Sequence, residues 1–499
     1  MLKLTRRAAL LGGGAWIGAL AANRWDQNLP STDGTRALAQ STGETTGEQI
    51  LNDASELSAT PVHRHVILSE NPDTTLITRL RAEMKEAAAE GRPVNVGAAR
   101  HSMGAQAIPR EGHAITFDNG LVEIDADAGT YRCHAGARWS QVIDALDPAG
   151  LSPAVMQSNN DFGVAATFCV NAHGWPVPYG PMGATVRAFR LLLPSGDVVN
   201  CSRSENVDLF NLTQGGYGLT GAIIDMVVDA VPNQRLVPTF ETMPAEAFAR
   251  AFAQAVRDSE VNMAYGRLNV DRANFLQDAL LVTYRATQDQ EDLPAAQGSG
   301  SMSHMARHIY RAQLGRERIK RARWWFEADL APRIAGGATT RNSLINEPVV
   351  TLADNDPGRT DILHEYFVPF DRFADFLEAC REVIPASYQS FLNVTLRFVD
   401  RDAESLLSYA TTPRIAAVMS FSQEKTARAE ADMARMTQAL IARISAIGGA
   451  YYLPYRPHAT RGQFLRTYTR ASAFAQQKRE VDPGLLFRNH LWDMYMSAL

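Results

Sequence analysis

Cysteine is scarce in this sequence: four residues in 499, at Cys133, Cys169, Cys201 and Cys380. None forms a CxxC pair, and no Cys/His cluster has zinc-ligand spacing, so the spacing offers no structural metal. A disulfide scaffold is excluded by the same scarcity, although an even count leaves one bridge open in an exported chain. A basic excess is also missing, with 49 Lys and Arg against 54 Asp and Glu and a net charge of −5. Neutralising phosphates needs a basic surface, which excludes nucleic acid as the main partner. Internal repeats are absent. What is present is a globular composition, 45% apolar and 21% charged. That excludes disorder for the bulk of the chain, and the length suits about two to four domains.

The first residues do not read as fold. Lys3, Arg6 and Arg7 precede an apolar run over 8–22, 15 residues long and short of the about 20 a spanning helix needs. The arginine pair after Thr5 resembles a twin-arginine export signal. Small-x-small cleavage sites stand at 19–21 and 37–39. The expectation is a signal and tail over 1–39, a polar linker over 40–59, and a periplasmic or extracellular destination.

From 60 to 235, short apolar runs alternate with Gly-rich turns. Strands are expected at 93–96, 114–117, 121–124, 131–135, 186–193 and 223–231. Trp139, Val142, Ile143 and Leu146 have helical spacing. Further helices are expected at 245–257, 370–383 and 424–447, with a polar loop near 288–303. Residues 307–323 carry seven Arg or Lys, either a basic docking face or a solvated surface helix.

Three Gly-rich loops lie beside these strands. Gly97-Ala98-Ala99-Arg100-His101-Ser102 follows the 93–96 strand; it is neither GxGxxG nor a Walker loop. Its small residues let backbone N–H groups approach an anion. Asp161, Gly163, Thr167, Asn171, His173 and Gly174 belong to the second loop, and Gly221 ends the third before Ile223. Together the loops could line one long dinucleotide.

Four pieces in this order carry a resemblance: Gly-x-x-Arg-His-Ser, Thr-x-x-x-Asn-x-His-Gly, Tyr-Gly-x-x-Gly-x-Thr-Val and Gly-Gly-Tyr-Gly-x-x-Gly. They resemble the PCMH-type FAD-binding domain of the vanillyl-alcohol oxidase superfamily. Pro454-Tyr-Arg-Pro-His458 and Asp482-Pro-Gly-Leu-Leu-Phe-x-Asn489 resemble the closing segment of its sugar and aldonolactone oxidase branch. The resemblance implies an α+β fold: an FAD-binding domain over 60–235, a substrate domain over 236–450 built on a central antiparallel sheet flanked by helices, and a segment over 451–499 closing onto the FAD domain. It implies FAD covalently attached through His101, held by the loop residues named above with Asn489.

On the substrate side, the family's Glu-x-Arg reads Thr395-x-Arg397 here, and the lysine of its Pro-His-Trp-Gly-Lys motif is replaced by Arg461. A threonine cannot take a proton from a hydroxyl at neutral pH. The candidate catalytic residues are therefore Arg397, His458, Arg461 and Glu365, converging where the two domains meet. The implied activity is oxidation of an alcohol or lactol carbon of a sugar, aldonolactone or related molecule, passing electrons to oxygen. Alternatives are a dehydrogenase serving a quinone or cytochrome, and a flavin-fold binding protein without turnover.

Overall fold

A computed structural model of the protein describes residues 45–298, 310–334, 337–348 and 356–499. The Arg6–Arg7 pair, the apolar run after it and both cleavage motifs lie outside the described residues, as do 307–309 of the basic stretch. No helix among the described residues is long and apolar enough to cross a membrane.

The strands, in chain order, are β1 (Thr45–Leu51), β2 (Thr60–Leu68), β3 (Val94–Gly97), β4 (His113–Phe117), β5 (Val122–Asp125), β6 (Thr130–His134), β7 (Leu151–Pro153), β8 (Val186–Leu192), β9 (Val198–Ser202), β10 (Ala222–Pro232), β11 (Arg235–Pro244), β12 (Val261–Leu268), β13 (Asp278–Ala286), β14 (Thr339–Thr340), β15 (Arg359–Pro369), β16 (Ser390–Val399), β17 (Arg414–Glu424) and β18 (Ala450–Tyr451). They form three sheets. The first has the order β1-β2-β4-β3, the second β5-β6-β10-β8-β9 with β7 on β10, and the third β14-β11-β13-β12-β16-β17-β15-β18.

In the first sheet β2 and β3 run parallel to β4. Parallel strands need crossovers, and the Thr74–Ala89 helix carries the chain from β2 to β3 on the far side of β4. Asp73 caps it by accepting from the Thr75 amide at 2.7 Å. Leu76, Leu80, Met84 and Ala87 form its buried stripe. In the second sheet β10 pairs antiparallel with both β6 and β8. The Trp139–Leu146 helix buries the four residues that its spacing predicts.

The third sheet packs against the helices Phe248–Arg257, Phe373–Val383 and Ala427–Ala446. Successive residues of a strand point to opposite faces. On β15, His364 therefore meets Thr437 of the Ala427–Ala446 helix, while Glu365 turns the other way, to His173 between β7 and β8. This α+β arrangement is the fold the resemblance implies.

The last residues return to the first sheet. Val94 donates to Leu486 O at 2.7 Å and bridges Phe487 in parallel.

Two local readings differ. Within the segment expected to be a linker, β1 adds to the edge of the first sheet, antiparallel to β2. Its bonds are backbone bonds, so its polar sequence gave no apolar alternation to read. Asp53, 1% exposed, then accepts from the amides of Ser55 and Ala105 at 3.0 and 2.8 Å. Among its described residues the basic stretch does not present one cationic face: Arg311 pairs with Asp361, and Arg323 bonds Glu327, Leu392 O and Asn393 on the third sheet. The four cysteines are unpaired.

Candidate active site

The first loop leaves β3 and is braced on every side. Arg100 takes a positive φ of 51° and folds its guanidinium beneath the loop. There it donates to Thr116 Oγ1 at 2.6 Å, Ala107 O at 3.3 Å and Ile115 O at 3.4 Å. Burial lowers its pKa to about 10. Arg100 thus shapes the loop rather than reaching out of it. His101 stacks on Phe162 with ring centroids 4.1 Å apart, its Nε2 3.7 Å from Asp161 Oδ2. Burial holds the His101 pKa below its ordinary value, against the pull of Asp161.

The second loop touches the first. A Cβ on Gly163 would lie 2.6 Å from Ala98 Cβ, and one on Gly174 would lie 1.9 Å from Met156 O. Thr167 Oγ1 bonds Gly163 O at 2.8 Å and Gln157 at 2.9 Å, and accepts from Trp139 Nε1 at 2.9 Å. Asn171 accepts from the Gly183 amide at 2.9 Å. Both are loop braces. In the third loop Gly221 has φ 157°, and its Cβ would strike Leu192 O at 2.5 Å. Ile223 is in the core at 5% exposure. Asn489, buried, donates to Gln106 O at 2.8 Å and Tyr217 O at 2.9 Å, and so ties the first loop to the third.

Sequence reasoning missed Arg138. Its backbone bridges Gly163, its guanidinium is partly buried, and NH1 has no hydrogen-bond partner. Ser102 Oγ in the first loop, and both amide atoms of Asn95 on β3 beside Gly218, are also buried and unpartnered. Buried polar groups are normally satisfied. An anion held between these loops would satisfy Arg138 and Ser102, so the residues present fit the pyrophosphate of FAD. Nothing in the residue pattern marked Arg138, since a lone arginine ahead of a helix is common.

Where the loops meet the third sheet, the Glu365–His173 pair is buried, the two side chains 3% and 2% exposed. Tyr455 donates to Glu365 Oε2 at 3.2 Å. Phe367 and Tyr409 stack at 3.9 Å beside the pair, and Tyr452 stands edge-on to Phe367. Burial and the Glu365 charge hold the Tyr455 phenol well above its ordinary pKa, so it stays a donor. His173 Nδ1 is unpartnered.

Strand register sets the rest of the site. Glu365 pairs with Val418, and Val418 with Thr395, which pairs with Arg267. One row across four strands thus holds Arg267, Thr395, Val418 and Glu365 on one face. The carboxylate missing at Thr395 is supplied two strands away, about 10 Å across the ladder. Thr395 Oγ1 accepts from Arg267 NH1 at 2.5 Å. Arg397 lies in the next row of this face, opposite Ala416 and Phe367. It donates to Ser158 Oγ, and its Nε is buried without a partner. Burial lowers its pKa, against the pull of Glu365 and Tyr455.

The other two candidates do not join this group. His458 bonds Glu430 Oε1 at 2.8 Å and Thr437 Oγ1 at 3.2 Å, on the His364 side of the sheet. Strand alternation places that side opposite Glu365. Arg461 is exposed at the start of the Arg461–Thr467 helix.

Residues 76–202 match the family model described as "FAD binding domain". Relatives with curated names cover similar stretches. The chain is 27% identical over 189 residues to the mitochondrial L-galactono-1,4-lactone dehydrogenase 1 of Oryza sativa, covering 38% of this chain and 32% of that one. It is 25% identical over 121 residues to the L-gulonolactone oxidase of Mus musculus, 24% and 28% of the two chains. It is 30% identical over 126 residues to cytokinin dehydrogenase 7 of Oryza sativa, 25% and 24% of the two chains. The matches thus take in less than a third of each relative's length.

Proposed function

We propose that the protein is an FAD-dependent oxidoreductase acting on a CH–OH carbon of a sugar lactone or a related polyhydroxylated small molecule. The observation that carries this reading is the buried Glu365–His173 pair, set where three cofactor-type loops meet a sheet face bearing Arg397. The FAD domain match and the lactone-oxidising relatives support it. When bound, FAD supplies the two-electron acceptor.

The chain's own residues handle position and proton. Substrate enters between the β16–β17–β15 face and the loops, over the small side chains of Ala416 and Val418. The Glu365–His173 pair takes the hydroxyl proton, with Tyr455 and His173 orienting the carboxylate. Arg397, with its free Nε, stabilises charge developing on the substrate oxygen. The aromatic wall of Phe367, Tyr409 and Tyr452 excludes water.

His101 is the residue we assign to covalent attachment. Burial keeps its imidazole neutral, so a nitrogen lone pair is available. Electrons leave to oxygen or to another acceptor; peroxide formation measured against dye reduction separates these.

The test is purification followed by an absorbance spectrum before and after acid precipitation, then titration with aldonolactones. A yellow protein bleached by such a substrate is expected. A Glu365→Gln variant should keep its FAD and lose about 10²–10⁴-fold in turnover. Peptide mapping should find FAD mass on the His101 peptide. A protein that stays colourless with added FAD refutes the proposal, and an unmodified His101 peptide in a yellow preparation refutes covalency alone.

A further inference from the structure

At the end of the first sheet away from the 97–102 loop, three side chains distant in sequence come together. His63 is on β2, His113 begins β4, and Glu90 follows the last turn of the Thr74–Ala89 helix. One ligand atom from each lies within 4.8 Å of the others. His63 Nε2 is 3.4 Å from Glu90 Oε2, and the two imidazole centroids are 5.5 Å apart.

We propose that His63, Glu90 and His113 form a divalent transition-metal site that clips the end of this helix to β2 and β4. The independent sign of a ligand is His113. It is 0% exposed, yet its Nε2 has no hydrogen-bond partner. Its Nδ1 meets Glu83 Oε2 at 3.2 Å. A carboxylate on one ring nitrogen fixes the tautomer and leaves the other lone pair free, as carboxylate–histidine–metal arrangements require.

Glu90 is held in place by the way the helix ends. Gly91, at φ 68°, donates to Ala88 O at 3.1 Å, and Arg92 donates to Ala87 O at 2.8 Å. This Schellman closure fixes Glu90 at the C-cap. The helix's C-terminal partial charge adds to Glu83 and Glu86 in favouring a cation. Arg64 and Arg92 oppose it, but each is occupied: Arg64 with Glu86 at 2.7 Å, Arg92 with Glu90 Oε2 at 2.7 Å and Glu111 O at 2.8 Å. Oε1 of Glu90 remains for a metal.

Two imidazoles and a carboxylate suit Zn²⁺, Ni²⁺ or Cu²⁺ rather than Mg²⁺ or Ca²⁺. Ligand atoms of tetrahedral zinc stand roughly 3.3 Å apart, following from bonds of about 2.0–2.1 Å. The Glu90 carboxylate already stands that close to His63, with Oε2 3.4 Å from Nε2, so rotation of the carboxylate brings Oε1 into the ligand position. His63 and Glu90 are partly exposed, so solvent reaches the fourth position.

The experiment is Zn²⁺ binding to the untagged, chelator-treated full chain by competition with a chromogenic chelator, beside the His63→Ala variant. One tight Zn²⁺ per chain is expected, with a rise in Tm, and His63→Ala should lose both. Glu83→Gln should bind Zn²⁺ about 10–100-fold more weakly. These readouts do not depend on flavin. Equal Zn²⁺ binding by wild type and His63→Ala, or saturation only at millimolar Zn²⁺, overturns the proposal.

Discussion

His364 and Glu365 are adjacent in the chain and face different compartments of the molecule. The parity of one strand decides which candidates share a site, and the residue types alone do not reveal it. Glu365 and Arg397 stand on the loop side, while His458 stands with His364, Thr437 and Glu430 on the helix side. Replacing each separates the two roles. Arg397→Ala should lower turnover about 10²–10³-fold with FAD content and Tm nearly unchanged. His458→Gln should leave turnover intact and cost roughly 1–3 kcal/mol of stability, because Glu430 loses a buried partner. Steady-state kinetics beside thermal melts decide it; a catalytic collapse in His458→Gln would contradict the placement.

At the scale of elements, the sequence revealed what small residues and apolar spacing can mark. The Trp139–Leu146 helix was legible from Trp139, Val142, Ile143 and Leu146. The glycine loops were legible as loops because a backbone that must approach a neighbour closely excludes side chains. Less legible were features built from backbone pairing or from distant positions. The β1 edge strand has no apolar alternation, and Arg138 is an ordinary arginine until Gly163 is set beside it. Gly163 shows the spatial argument in isolation. Its φ of −76° suits any residue, so the 2.6 Å approach of Ala98 alone demands glycine. Gly163→Val should therefore part the two loops and lower FAD affinity tenfold or more while the fold persists, since overpacking costs about 1–3 kcal/mol. Flavin fluorescence titration and circular dichroism together would test this.

Across the whole molecule, buried histidines set the acid limit. Burial lowers His65 and His134 to about 4 and His364 to about 3, from 6.5. As pH falls from 6.5 towards 4, the unfolded chain takes up protons that these groups refuse when folded, so stability falls with pH in that window. The contribution of each is roughly 3 kcal/mol by pH 4. Denaturant midpoints between pH 7 and pH 4 should drop steeply, and a flat profile would contradict the burial of these rings. A second consequence concerns time rather than energy. Asn489 joins the first loop to the third, and Leu486 and Phe487 pair with Val94. A nascent chain therefore cannot close its cofactor cradle until these late residues have cleared the ribosome. Flavin capture therefore waits for residues 486–489, and chains truncated at residue 480 should fail to retain radiolabelled FAD that chains reaching residue 499 keep.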